Sequence, residues 1–134
     1  MTLRSLTEAI VTRLSDYGAR NPLNASDLQT TPPGPYTMVY SDAGQGRPLR
    51  IASETDRITV RWQIMSVSNS RQGVQDMVQD VRNAITDFSP GGTRESGRLS
   101  EEFSGPLMDI KTAPLDSRYS LTLNYVMTTH RGEV

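Results

Sequence analysis

Between Ile58 and Phe88 the hydrophobic period of this chain changes once, from that of a strand to that of a helix. Ile58, Val60, Trp62 and Ile64 alternate with Thr59, Arg61, Gln63 and Met65, which predicts a strand buried on one face. After the turn-like run Ser66-Val67-Ser68-Asn69-Ser70, apolar residues fall at Val74, Met77, Val78, Val81, Ala84, Ile85 and Phe88. That is the spacing of a helix with a single apolar stripe. A half-buried strand feeding an amphipathic helix must cover both apolar surfaces with another layer, so this segment commits the chain to sheet packed on helix.

The flanks repeat the theme. Leu3, Leu6, Ile10, Val11, Leu14 and Tyr17 sit at helical spacing, Ser5-Leu6-Thr7-Glu8 fits a capping box, and Gly18 supplies a stop. A first helix is therefore predicted from Leu3 or Ser5 to Tyr17. Ala19 to Pro35 is a polar connection broken by Asn21-Pro22 and Pro32-Pro33-Gly34-Pro35. Tyr36 to Tyr40 is a short strand with Tyr36, Met38 and Tyr40 on one face. Leu107 to Lys111 is another, and Tyr119, Leu121, Leu123, Tyr125 and Met127 alternate with polar neighbours in the clearest strand of all. The order α-β-β-α-β-β predicts an α+β fold: a two-layer sandwich with a four-stranded, mostly antiparallel sheet and both helices on one face. The other sheet face, carrying Thr59, Arg61, Gln63, Ser120, Thr122 and Asn124, is expected to be polar.

A chain of 134 residues supports one core, so a single domain spanning 1–134 is expected, with long loops at about 42–57 and 89–106. An apolar fraction of 35% and a mean hydropathy of −0.49 are low for a compact monomer. The net charge of −1 and pI near 5.8 advertise no broad basic surface for nucleic acid. The absence of cysteine excludes disulfides and thiolate metal sites. No run approaches the ~20 apolar residues of a membrane span, and Met1-Thr2-Leu3-Arg4 lacks a signal-peptide core. A soluble protein, intracellular at synthesis, is expected.

Candidate chemistry is sparse. His130, the sole histidine, lies four residues from a terminus expected to fray and lacks the rigid orientation that triads and zinc sites require. Gly44-Gln45-Gly46 resembles a phosphate loop only superficially, with no Walker lysine and with Arg47-Pro48 where a helix should begin. Glu101-Glu102 falls in a predicted loop, and Asp76 and Asp80 lie off the apolar stripe of the second helix; both pairs read as solvated charge. Trp62 shares its parity with Val60 and Ile64 and reads as core. Asn24-Ala25-Ser26 matches a glycosylation sequon, which carries nothing without secretion. No catalytic, metal or cofactor-binding residue is assigned, and an enzyme is not expected.

The two long loops mix charge signs: Arg47, Arg50, Glu54, Asp56 and Arg57 in the first, Arg94, Glu95, Arg98, Glu101 and Glu102 in the second. Mixed signs suit self-association through complementary pairs better than nucleic-acid binding. With Leu49, Ile51, Leu99 and Phe103 as apolar anchors at the centre and the charges other than Asp56 and Arg57 at the rim, these residues form the expected subunit or partner interface. The loops are expected to be mobile in a free subunit and ordered on assembly, since nothing local offsets their ordering entropy.

Taken in order, a short N-terminal helix, the Pro35-to-Tyr40 strand, a polar loop, the strand around Arg61-Trp62-Gln63-Ile64, the Ser70-to-Ile85 helix and the closing Asp116-Ser117-Arg118-Tyr119-Ser120-Leu121-Thr122-Leu123 strand resemble the tail terminator, or tail completion, proteins of long-tailed bacteriophages. The resemblance runs from the first helix to about Thr129 and departs from the family in the length of Ser89 to Pro106. It implies a non-enzymatic neck protein of the virion: a homo-oligomer, typically a hexameric ring, that caps the tail tube and presents a surface to the head–tail connector. DNA would pass its lumen without specific binding, no membrane would be involved, and assembly would take place in the host cytoplasm. Two alternatives stand beside it. One is another neck or head–tail connector subunit; the other is a monomeric α+β adaptor binding a peptide or nucleic acid on its sheet face.

Overall fold

The computed structural model describes residues 3–27, 35–41, 57–91, 98–112 and 116–130. Two helices, α1 (Leu3–Asp16) and α2 (Arg71–Ile85), cover one face of a mixed sheet. The strands are β1 (Pro22–Asn24), β2 (Tyr36–Ser41), β3 (Arg57–Ser68), β4 (Ser100–Ser104), β5 (Met108–Thr112) and β6 (Asp116–His130). They run in the order β1-β2-β3-β6-β4, with β5 also on β6. Tyr119 and Ser120 pair with Ser68 and Val67 of β3 and also with Asp109 and Met108 of β5. Hence β5 occupies the same edge of β6 as β4, end to end with it, and Gly105 N–H bonds Thr122 C=O across the break at 2.8 Å.

The α+β architecture and the two helices on one face agree with the sequence expectation; the strand count and order do not. Two strands lie where connections were expected. Pro22–Asn24 pairs parallel to Thr37–Val39 at the sheet edge, and Pro22 is tolerated there as the first residue of an edge strand. Ser100–Ser104 pairs with Leu123–Val126 inside the expected loop at 89–106. The third difference is the turn-like Ser66-Val67-Ser68, which belongs to β3. Ladder partners on both sides, Tyr36 and Thr37 from β2 and Tyr119 to Leu121 from β6, hold it extended.

The helix ends follow their local chemistry. At the end of α1, Gly18 has φ of 81°, Ala19 N–H reaches Leu14 C=O and Gly18 N–H reaches Ser15 C=O. This is a Schellman stop that a side chain with a Cβ would strain. Ser5 lies inside the first turn of α1, so the capping box is not what starts the helix; Glu8 instead accepts from Arg4 at 3.2 Å. Ser70 caps α2, its Oγ accepting from Gly73 N–H at 3.0 Å.

The core lies between layers. Leu6, Ile10 and Leu14 of α1 and Val74, Val78, Val81, Ala84 and Ile85 of α2 pack on Val39, Val60, Trp62, Ile64, Leu123, Tyr125 and Met127. Trp62 is 1% exposed, and its indole Nε1–H donates to Thr7 Oγ1 of α1 at 3.0 Å, so the largest core side chain also has its polar atom satisfied. Tyr17, expected on the stripe of α1, is instead exposed beneath the Arg13 guanidinium, 4.1 Å from the ring centroid. Arg13 also donates from Nε to Ala84 C=O at 2.9 Å, tying α1 to the last turn of α2.

Candidate functional site

The outer face of the sheet, away from the helices, is the surface that the fold leaves to be explained. Alternation places Arg61 and Gln63 there, because Val60, Trp62 and Ile64 point into the core. Register then builds rows across the strands. Tyr36 stands beside Val67, Ser120 and Met108; Met38 stands beside Met65 and Thr122; Tyr40 stands beside Gln63, Asn124 and the backbone position of Phe103. The next row carries Arg61, Val126 and Ser100, followed by Thr59 opposite Thr128 and Arg57 opposite His130.

The face is thus graded along the strands. One end is apolar: Tyr36, Met38 and Val67 form a buried cluster with Leu23, Ala25 and Met65 packed against it. The sequence expectation of a polar face therefore holds for Thr59, Arg61, Gln63, Thr122 and Asn124 but not for this end. Tyr36, Met38 and Tyr40 do share a face, as the alternation requires, but Val39 alone of that strand enters the main core. Tyr40 and Met108 are exposed large side chains on this surface.

At the polar end lies a recess of about 190 Å³ lined by Tyr40, Ser41, Arg61, Gln63 and Asn124. All five are polar, none is acidic, and all are borne on β2, β3 and β6 rather than on loops. At its rim Arg61 pairs with Glu102 of β4, Nε to Oε1 at 3.3 Å and the second nitrogen to Oε2 at 3.4 Å. The two side chains are 52% and 35% exposed, so the pair is weakly held. Partial burial, helped by the neighbouring Tyr36, raises the pKa of Tyr40 above its ordinary value and keeps its hydroxyl a neutral donor and acceptor.

The expected interface residues separate into four groups. Arg47, Leu49, Arg50, Ile51, Glu54, Arg94 and Glu95 lie outside the described residues. Arg98 is exposed two residues before β4, and Phe103 takes the β4 position opposite Asn124, its side chain outside the described set. Leu99 has to be reassigned. It is fully buried in the chain's own core, and its backbone bonds both Asp87 and Phe88, which leaves no side-chain surface to anchor a partner.

Glu101 and Glu102 belong to a strand, not to a loop. As successive residues of a strand they point to opposite sides of the sheet, and the register shifts just beyond them, between Glu101 and Phe103. Glu102 meets Arg61 outside, and Glu101 meets Arg82 of α2 at 2.9 Å and 3.3 Å. They form two separate ion pairs on opposite faces rather than facing each other. The Glu101 hydrogen bond, set against partial burial, leaves the Arg82 guanidinium with a raised pKa. Beside it the buried Tyr125 hydroxyl lies 3.3 Å from Thr86 Oγ1; burial raises its pKa, while the Thr86 bond pulls the other way.

Asp76 is exposed and accepts from Gln72, in keeping with solvated charge. His130 ends β6 opposite Arg57, so strand pairing continues to a position expected to fray. Among the described residues no cluster of His, Asp or Glu could hold a metal ion, and no helix is long and apolar enough to cross a membrane. The recess itself escaped the sequence reading, although a signal was present: Arg61 and Gln63 alternate with core residues opposite Asn124 on a strand of the same pattern. No protein-family model matches the chain, and no curated protein matches it.

Proposed function

We propose that the chain is a structural virion subunit that assembles as a hexameric ring, caps the tail tube of a long-tailed bacteriophage and joins it to the head–tail connector. One observation carries the reading. The segments that bear the resemblance each fall on a regular element: Pro35–Tyr40 on β2, Arg61–Ile64 on β3, Ser70–Ile85 on α2 and its cap, and Asp116–Leu123 on β6. The three strands among them are direct neighbours in the sheet.

The outer face fits such a role. It presents Tyr40 and Met108 to solvent on a rigid sheet, with the Arg61–Glu102 ion pair beside Tyr40. A ring formed by head-to-tail contact uses two different patches of one subunit, and an open sheet with a helical layer behind it offers two. The location proposed is the tail–neck junction of the virion, reached from the host cytoplasm during assembly. The partners are further copies of the chain, the tail tube protein and the connector.

A second reading, a monomeric adaptor gripping a peptide on its sheet face, draws on the recess between Tyr40 and Asn124. Imaging of intact virions with the chain located by labelling separates the two. Density at the junction of tail tube and neck is the expected result; density elsewhere, or none, would end the terminator reading, and a ring count other than six would end the hexamer alone.

A further inference from the structure

We infer that the recess on the outer sheet face is a carboxylate-binding site, shaped for a single aspartate or glutamate side chain presented by a protein segment. Its lining sets the class of ligand. Arg61 offers a guanidinium, Gln63 an amide and Tyr40 a hydroxyl, Asn124 completes the wall, and no acidic residue lines it. A donor-rich recess with one cation matches a planar monoanion, since arginine forks onto two carboxylate oxygens and an amide can serve a remaining lone pair.

Size sets the source. A volume of about 190 Å³ is below the ~300–1,000 Å³ of pockets that enclose a metabolite-sized ligand. It accommodates the end of one side chain, whose backbone would rest outside against the exposed Tyr40 ring. Rigidity favours the same use, because Tyr40, Gln63 and Asn124 form one row across β2, β3 and β6 and Arg61 stands one same-face position along β3.

Glu102 is the internal competitor. It holds Arg61 at the rim through two bonds of 3.3 Å and 3.4 Å in an exposed pair. Exchanging one solvated carboxylate for another costs little, so an incoming acidic side chain can take the guanidinium from Glu102. The inference is independent of the ring reading and survives whichever partner supplies the acid.

The test uses the full isotope-labelled chain in NMR titrations. The probes are N-acetyl-glutamate N-methylamide, the matching glutamine compound, acetate and inorganic phosphate. The blocked glutamate is expected to give saturable shifts at the Gln63 and Asn124 amides and at Arg61 Nε, and the glutamine compound none. Arg61→Gln, at an exposed position and checked for an unchanged amide spectrum, should weaken binding about tenfold or more. Glu102→Gln should tighten it about two- to fivefold by removing the competitor; a merely structural pair would not give that gain. The inference is overturned by no saturable shift, by an equal response to the glutamine compound, or by unchanged binding in either variant. Tighter binding of acetate or phosphate than of the blocked glutamate would also overturn it, by making the recess a small-anion site.

Discussion

Trp62 shows at the scale of one residue how composition and contact combine. A large ring with a polar nitrogen can enter a core only if that nitrogen finds a partner, and Thr7, itself 2% exposed, is placed one helix away to accept it. Trp62→Ala should cost about 3–5 kcal/mol in denaturant unfolding. Thr7→Val, which leaves the indole N–H unmet, should cost about 1–3 kcal/mol. A water-exposed emission spectrum from native Trp62, or an alanine variant of unchanged stability, would remove this residue from the core. Gly73 is a second such position. Gly73 sits in the first turn of α2, where a Cβ would collide with Ser68 Oγ and approach Ser70 Oγ to 2.9 Å. Alanine normally improves a helix by about 1 kcal/mol over glycine. Here Gly73→Ala should instead destabilise, and Ser68→Ala should recover part of that loss in thermal unfolding of the double variant.

At the scale of elements, legibility tracks where the stabilising information lies. β3, α2 and β6 were readable because each carries its own period: Trp62 between Arg61 and Gln63, Val74-Met77-Val78-Val81 on one stripe, Leu123 and Tyr125 between polar neighbours. β1 and β4 were not readable, because three and five residues hold too little pattern and their structure comes from the strands they pair with. Leu99 illustrates the same limit. Its neighbours Arg98 and Ser100 are exposed, and only the partnership with Asp87 and Phe88 carries it inward. The outer recess failed to appear for a related reason, since a site made of single residues from three strands is not contiguous in sequence. Two element-scale predictions follow from local chemistry. Ser70→Ala, which removes the cap of α2, should cost about 1 kcal/mol. Tyr125 has a native pKa raised mainly by burial, so the native state keeps the phenolic proton after the unfolded chain has lost it. Its contribution is complete below about pH 10, the unfolded value, and disappears as pH rises through the higher native one. Unfolding midpoints followed upward from neutral pH should therefore fall on the alkaline side, and Tyr125→Phe should flatten that fall.

For the molecule as a whole, the question is what an open sheet does with its second face. One face is closed by two helices; the other carries a buried cluster at Tyr36, Met38 and Val67, a polar recess around Gln63, and two exposed large side chains, Tyr40 and Met108. Exposed apolar side chains on a rigid surface cost a free subunit little, yet each becomes a source of affinity once a partner excludes water from it, at about 25 cal/mol per Å² buried. If the proposed ring uses this face, Met108→Glu and Tyr40→Glu should leave the fold intact, because both side chains reach solvent and neither belongs to the main core. Each should sharply reduce self-association or capture of the tail tube, because a charge would then be desolvated at the contact. The measurement is light scattering on each variant, alone and with tail tubes, alongside thermal unfolding. Assembly on a tail-tube template does not require association in dilute solution, so the tube-containing arm decides. Wild-type rings on tubes and none from either variant, at matched stability, is the expected outcome. Variants that cap tubes as well as the native chain would move the contact off this face and onto the helical side, where Arg4 and its carboxylate partners Glu8 and Asp27 lie exposed.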